Sequence, residues 1–103
     1  MSKKAKQDVR QLRAIGHKLR PVVTIAGNAL SEGVVSELER ALNDHELIKV
    51  KLAVGSREER QAISEQICEQ LGAETVQRIG NVIVILRRAE NPDPRLSNLI
   101  RPV

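Results

Sequence analysis

The sequence predicts a single α/β domain with the element order α-β-α-β-α-β-β. Amphipathic segments with helical spacing alternate with short segments rich in β-branched residues. The chain has 103 residues, enough for one hydrophobic core, and shows no internal repeat. Each strand-helix-strand unit should cross over right-handed and make its two strands parallel neighbours, whereas the last two strands form an antiparallel hairpin. We therefore expect a mixed four-stranded sheet with helices packed against it.

The first helix is predicted over residues 5–18, and Pro21 ends this segment because the residue before a proline disfavours helical geometry. Residues 22–25, VVTI, are β-branched throughout and predict the first strand. Ser31 is a suitable N-cap for a second helix that runs to about residue 44. The basic side chains of the first helix share one face, which predicts a basic ridge of Lys6, Arg10, Arg13 and His17.

The second strand is predicted over residues 47–54, LIKVKLAV, where apolar and basic residues alternate. Because side chains alternate across a strand, its apolar residues share one face and Lys49 and Lys51 share the other. The sequence therefore predicts a strand with one buried face and one basic face.

A third helix is predicted from Ser56, which opens the capping-box sequence S-R-E-E, to Gly72, a suitable helix C-terminal residue. Residues 74–79 and 82–87 predict two strands joined by the turn sequence 80-GN-81. The folded domain is thus expected to span residues 1–88. Residues 89–103 hold three of the four prolines and no hydrophobic period, which predicts a disordered or loosely docked, flexible C-terminal tail.

The composition limits the function classes. Lys and Arg total 17 against 13 Asp and Glu, and the net charge of +4 favours a polyanionic partner. The absence of Phe, Tyr and Trp removes base stacking on aromatic platforms and argues against an RNA-recognition motif. A single cysteine, Cys68, and the lack of a signal peptide or a long apolar run predict a soluble cytoplasmic protein without a membrane partner.

No pattern in the sequence indicates catalysis. The serines lack the context of an activated nucleophile, and no phosphate-binding glycine motif is present. His17 and His45 are isolated from other metal-ligating residues, so no metal site is predicted. We expect a non-enzymatic protein with no cofactor, no metal and no small-molecule substrate.

The basic residues are candidates for one nucleic-acid-binding patch. The patch would join the ridge of the first helix, the residues just beyond it, one face of the second strand and the start of the third helix. Its candidate residues are Arg13, Lys18, Arg20, Lys49, Lys51, Arg57 and Arg60. A second candidate is the turn A-G-N-A at Ala26, Gly27, Asn28 and Ala29, where a short loop enters a helix N-terminus. Such a loop can hold a phosphate or serve as a plain connector, and its residues alone favour the connector.

Three segments resemble the CRM domain in its free-standing bacterial form, the YhbY-like proteins. They are 16-GHKLRPVVTIAGNALSEGVVSELERAL-42, 45-HELIKVKL-52 and 71-LGAETVQRIGNVIVILRR-88, and the resemblance covers about residues 7–88. The strings H-x-L-x-P-V and H-E-L-I-K-V-K are its most specific parts. The resemblance implies a fold similar to the C-terminal domain of bacterial translation initiation factor 3. It also implies RNA binding and association with precursors of the large ribosomal subunit.

The family pattern has a G-x-x-G loop that falls on residues 26–29. Both expected glycines, at Ala26 and Ala29, are alanine here, and Gly27 occupies the second position instead. The resemblance implies that this loop belongs to the RNA-binding surface together with the neighbouring basic residues, which would attract phosphates in a salt-dependent way.

The expected function is therefore RNA binding in assembly of the large (pre-50S) ribosomal subunit, by a monomer whose partner is large-subunit rRNA or its precursor particle. Two alternatives remain at this level. One is a DNA-binding module of the Alba kind, which has a similar order of strands and helices. The other is a ribosome-associated factor that contacts proteins through its acidic second helix.

Overall fold

The computed structural model describes residues 7–27 and 30–100. It confirms the predicted α/β class and element order. The elements are α1 (Val9–Lys18), β1 (Pro21–Ala26), α2 (Glu32–His45), β2 (Leu47–Ala53), α3 (Arg57–Leu71), β3 (Glu74–Ile79) and β4 (Val82–Leu86).

The four strands form one mixed sheet in the order β1-β2-β4-β3. The pair β1–β2 is parallel, and β4 pairs antiparallel with both β2 and β3. The predicted hairpin is confirmed, but the prediction that β2 and β3 are neighbours is wrong, because β4 lies between them. The sequence VIVIL of β4 is buried at four of its five positions and needs a strand on each side. No residue of β3, ETVQRI, is fully buried, which suits the sheet edge.

Helices cover both faces of the sheet. The main core lies under α2 and α3, where Ile48, Val50 and Leu52 of β2 pack together with side chains of both helices. A smaller core lies under α1 and contains Leu12, Leu47, Val84 and Leu86. The predicted alternation of β2 is confirmed, and α1 provides a third layer on the face that carries the lysines.

Side-chain caps set the starts of the helices. The first helix was predicted from residue 5 but begins at Val9, because Asp8 accepts from the Gln11 backbone N–H and Gln11 returns the bond in a capping box. The predicted N-caps are confirmed: Ser31 Oγ accepts from Val34 N–H at 3.2 Å, and Ser56 Oγ accepts from Glu59 N–H at 3.1 Å. The capping box predicted at Ser56 forms only in this half, since the described hydrogen bonds contain no return bond from the Ser56 N–H to the Glu59 side chain.

Glu46 joins the end of α2 to the C-terminal segment. It adopts φ 66° and is only 4% exposed, an unusual conformation and location for a glutamate. Its carboxylate accepts from the Ala89 N–H and from the Ser97 hydroxyl, both at 2.6 Å. These two bonds satisfy the buried carboxylate and attach the segment after β4 to the body of the protein.

The segment after β4 is docked as far as the structure describes it, which differs from the flexible tail predicted for residues 89–103. Ser97 and Asn98 are buried, and Asn98 Nδ2 donates to the Leu47 carbonyl at 2.7 Å. Gln7 Nε2 donates to the Leu99 carbonyl at 3.0 Å. Apart from Leu99, which packs on the smaller core, single polar side chains hold this segment, so it has no hydrophobic period that a sequence pattern could show. The boundary at residue 88 stays a prediction.

Candidate nucleic-acid interface

α1 covers only part of its face of the sheet. Gly16 lies directly on Val84, since a Cβ built on Gly16 would be 2.9 Å from Val84 Cγ1. The part of this face that α1 leaves uncovered is a surface that we call the open sheet face. The register of the strands places Thr24, Lys49, Lys51, Val82 and Ile79 on it.

The two lysines of β2 lie in the centre of this face. Lys49 is half-buried between Pro21 of β1 and Val84 of β4, and its Nζ donates to the His17 carbonyl at 3.5 Å. Lys51 is exposed between Thr24 and Val82. The neighbouring strands β1 and β4 place neutral side chains next to the two lysines of β2. The open sheet face therefore combines aliphatic surface with two cations.

A groove of about 270 Å³ runs along the end of α1 and is lined by His17, Lys49, Ile79 and Val82, among others. Ile79 is 59% exposed, although it is a large apolar residue. The groove therefore offers a partner both apolar surface and positive charge.

Of the basic residues at and just after the end of α1, the structure places Arg20 beside Lys49. Arg20 and Lys49 line a shallow groove of about 180 Å³, and Lys18 is exposed in the last turn of α1. Arg13 is exposed one turn earlier on the same helix. His17 and Lys18 also suit the negative end of the α1 dipole, which is a structural reason for cations at this position.

The turn after β1 lies at the other end of the same strand. Ala26 and Gly27 are exposed, and Ala26 lies about 17 Å from Pro21 at the strand rise of roughly 3.3 Å per residue. Gly27 has φ 72°, and no described atom lies within 4 Å of a Cβ built on it. Glycine is thus favoured here by backbone conformation rather than by lack of space. The other two predicted loop residues, Asn28 and Ala29, lie outside the described residues.

Lys49 and Lys51 connect these two ends. Lys49 pairs with Pro21, and Lys51 pairs with Thr24, two residues before the turn. The structure thus brings together Arg20, both strand lysines and the start of the A-G-N-A turn along the paired strands β1 and β2. This part of the predicted patch is contiguous in space.

Arg57 does not belong to that group. It lies at the start of α3, on the opposite side of the sheet, where Arg57, Arg60, Gln61, Arg78 and Gly80 line another cleft. The prediction of one patch that includes Arg57 and Arg60 is corrected: the candidate residues lie in two groups. The reason is that α1 and α3 pack on opposite faces of the sheet, which residue spacing within each helix does not reveal.

Arg78 is the basic residue that sequence reasoning missed. It lies on β3 opposite Ile83, whose side chain belongs to the main core, so Arg78 projects toward the α3 side. The strand alternation of 74-ETVQRI-79 could have suggested this face, but a bulge between Thr75 and Gln77 shifts the register.

Metal-ligating side chains are scattered over the part of the chain that the structure describes. Within that part, no group of three or more His, Cys, Asp or Glu residues could hold a metal ion. None of the helices in residues 7–27 and 30–100 is long and apolar enough to cross a membrane.

The family model of the CRS1 / YhbY (CRM) domain matches residues 5–87. The chain belongs to the CRS1 / YhbY (CRM) domain family. The resemblance found in the sequence is thereby confirmed, and the match includes α1, all four strands and the A-G-N-A turn of this CRM domain.

Individual relatives agree with this assignment. A "Probable RNA-binding protein" of Pseudomonas aeruginosa is 49% identical to this CRM domain over 92 residues, which are 89% of this chain and 88% of the relative. An "RNA-binding protein" of Haemophilus influenzae is 48% identical over 79 residues, 77% of this chain and 80% of the relative. The solution structure of a Staphylococcus aureus protein superposes with a TM-score of 0.72 and 29% identity, covering 81% of this chain and 86% of the other.

Proposed function

We propose that this CRM domain is a non-enzymatic RNA-binding protein. The observation that carries the proposal is the pair Lys49 and Lys51 on the open sheet face, between the cations at the end of α1 and the turn after β1. The family match and the relatives named as RNA-binding proteins support RNA as the partner.

The proposed mechanism is recognition of the RNA backbone. Lys18, Arg20, Lys49 and Lys51 would neutralise neighbouring phosphates and release their counterions. The turn at residues 26–29 leads into α2, whose N-terminal N–H groups and dipole would favour one further phosphate. Base stacking on aromatic side chains plays no part because the chain has none.

The double variant Lys49→Ala/Lys51→Ala tests this surface. Because two phosphates would no longer be neutralised, binding to a structured RNA should weaken and the slope of log K against log salt should flatten by up to about two units. Fluorescence anisotropy at several salt concentrations measures both quantities, with duplex DNA titrated at equal salt as the competing nucleic acid.

The matched control is Arg40→Ala, which removes an exposed cation from α2. It should change the salt slope much less per charge removed than the lysine variant does. Unchanged RNA affinity in a folded Lys49→Ala/Lys51→Ala protein would refute the assignment of the open sheet face. Tighter binding to duplex DNA than to structured RNA would instead favour an Alba-like DNA-binding function.

We further propose that the RNA belongs to the large ribosomal subunit or its precursor and that the protein acts in the cytoplasm as a monomer. Sedimentation of a gentle lysate through a sucrose gradient should place the protein with large-subunit or precursor particles. Nuclease treatment should release it. Association that survives nuclease would mean that protein contacts dominate, and a protein that stays at the top of the gradient at low salt would contradict the ribosomal role.

A further inference from the structure

Three arginines converge on one cleft on the α3 side of the sheet. Arg57 and Arg60 come from the first turn of α3, and Arg78 comes from β3, just before the hairpin turn at Gly80. The cleft has a volume of about 500 Å³, and Gln61 also lines it. We call Arg57, Arg60 and Arg78 the arginine cleft.

No carboxylate among the described residues forms an ion pair with these arginines. The ion pairs found among residues 7–27 and 30–100 are Arg87 with Glu39 and Arg95 with Asp93, and neither includes an arginine of the cleft. Arg57 and Arg78 are exposed, and Arg60 is half-buried. Three positive charges gathered without an ion-pair partner repel each other, so an anion in the cleft would stabilise the fold.

The residue type indicates which anion fits. The guanidinium group is planar and donates hydrogen bonds in pairs, a geometry that matches the oxygens of a phosphate. Three such groups around one cleft can bind adjacent phosphates, whereas a lone surface arginine cannot. The lining side chains are otherwise polar or small, without an aromatic surface that would select a base.

The position of the cleft relates it to the open sheet face. Because β4 runs antiparallel to β2, the hairpin turn at Gly80 lies at the same end of the sheet as the turn after β1. The Leu52 N–H donates to the Asn81 carbonyl at 2.6 Å and joins the hairpin turn to the end of β2. The arginine cleft and the exposed Lys51 therefore lie on opposite faces of one sheet end.

We propose that the arginine cleft binds backbone phosphates of the same RNA, which would pass around this end of the sheet from the open sheet face to the α3 side. The inference rests on the proposed RNA-binding function and adds a second, separate binding surface. It assigns Arg57, Arg60 and Arg78 to phosphate binding, so that the protein would contact the RNA from both faces of the sheet.

Arg78→Gln tests the cleft, because the side chain is exposed on an edge strand and its removal should leave the fold intact. We expect the slope of log K against log salt for structured RNA to fall by about 0.7 to 0.9 for each phosphate that the variant no longer neutralises. Arg57→Gln, at the other wall of the cleft, should give a similar decrease. Arg40→Gln is the matched control, since it makes the same change of charge on the exposed face of α2.

The outcomes separate this inference from the proposed function. RNA binding by the wild type with equal salt slopes for Arg78→Gln, Arg57→Gln and Arg40→Gln would overturn the cleft and leave the open sheet face standing. If the wild type binds no RNA, both proposals fail. In that case, thermal melts in inorganic phosphate and in chloride at equal ionic strength show whether the cleft binds free phosphate. If it does, phosphate raises the melting temperature of the wild type but not that of Arg78→Gln.

Discussion

Two glycines in helices have opposite structural roles. Gly16 of α1 lies against the sheet, where an added Cβ would be 2.9 Å from Val84 Cγ1 and 3.1 Å from Val84 Cγ2. Gly33 in the first turn of α2 has open space, with Ser31 Oγ the nearest described atom at 3.9 Å. Gly16 thus lets α1 approach the sheet closely and places His17 beside Lys49, whereas Gly33 has no such packing role.

The same substitution at these two glycines should have opposite effects on stability. Gly16→Ala should lower the free energy of unfolding by about 1 kcal/mol, because overpacking against Val84 costs about 1–3 kcal/mol and the helix gains at most about 1 kcal/mol from alanine. Gly33→Ala should raise it by up to about 1 kcal/mol. Urea unfolding measures the free energy of unfolding of both variants. A Gly16→Ala protein that is more stable than the wild type would show that α1 does not pack so closely on Val84.

At the scale of elements, the Arg87 side chain joins α2 and α3 to the end of β4. Its guanidinium group donates to both carboxylate oxygens of Glu39 on α2, each at 3.0 Å, and to Asn43 Oδ1 at 2.7 Å. It also donates to the Leu71 carbonyl at the end of α3 at 2.9 Å. One side chain therefore holds α2 and α3 in place over the sheet.

This ion pair makes a small part of the stability depend on pH. The hydrogen bonds from Arg87 lower the pKa of Glu39 below its usual value of 4.5, with partial desolvation acting against them. The pair therefore stabilises the fold fully above about pH 4.5, and its contribution is lost as the pH falls through the lower pKa of the folded state. The Glu39 side chain is 48% exposed, so we expect at most about 1 kcal/mol.

Glu39→Gln should accordingly be less stable than the wild type at neutral pH and equally stable in acid. Urea unfolding at about pH 7 and at about pH 3 gives the two differences, on either side of the usual glutamate range. Glu37→Gln, which changes an exposed carboxyl group on the same helix, is the control. A stability gap between Glu39→Gln and the wild type that is equally large at both pH values would contradict the assigned ion pair.

At the scale of the whole molecule, the C-terminal segment joins parts that are far apart in sequence. Asn98 donates to Leu47 at the start of β2, and Ser97 donates to Glu46 at the end of α2. The His45 carbonyl accepts from the Asn98 N–H at 3.0 Å, and the His45 ring nitrogen Nδ1 is 2.8 Å from the Leu96 carbonyl. The HEL of the characteristic string HELIKVK is thus the docking site of the C-terminal segment.

Ser97→Ala/Asn98→Ala should destabilise the protein by about 2–4 kcal/mol, because it leaves the Glu46 carboxylate and the Leu47 carbonyl buried with fewer donors. Asn91→Ala, an exposed asparagine in the same segment, should change the stability by less than about 0.5 kcal/mol. Equal urea midpoints for the two variants would show that the segment is not docked in solution, as the composition predicts for residues 89–103.

The features that could be predicted are those that depend on local sequence patterns. The alternation of 47-LIKVKLAV-54 placed both lysines on one strand face, and Ser31 and Ser56 marked helix starts through bonds to residues three positions away. In contrast, nothing local distinguishes a β2–β3 neighbour pair from the observed insertion of β4. The meeting of Arg78 with Arg57 and Arg60 depends on that insertion and on which face α3 covers.

The sequence by itself determined the elements, the aliphatic core and the family, since each rests on periods, caps and strings contained within about 10 to 30 residues. Only the tertiary structure decided which cations share a surface. Strand order and the choice of sheet face depend on burial summed over the whole chain, and β4 takes the centre because it is the most apolar strand. Because α1 and α3 pack on opposite faces of that sheet, Lys49 and Lys51 lie on the open sheet face and Arg57, Arg60 and Arg78 in the arginine cleft.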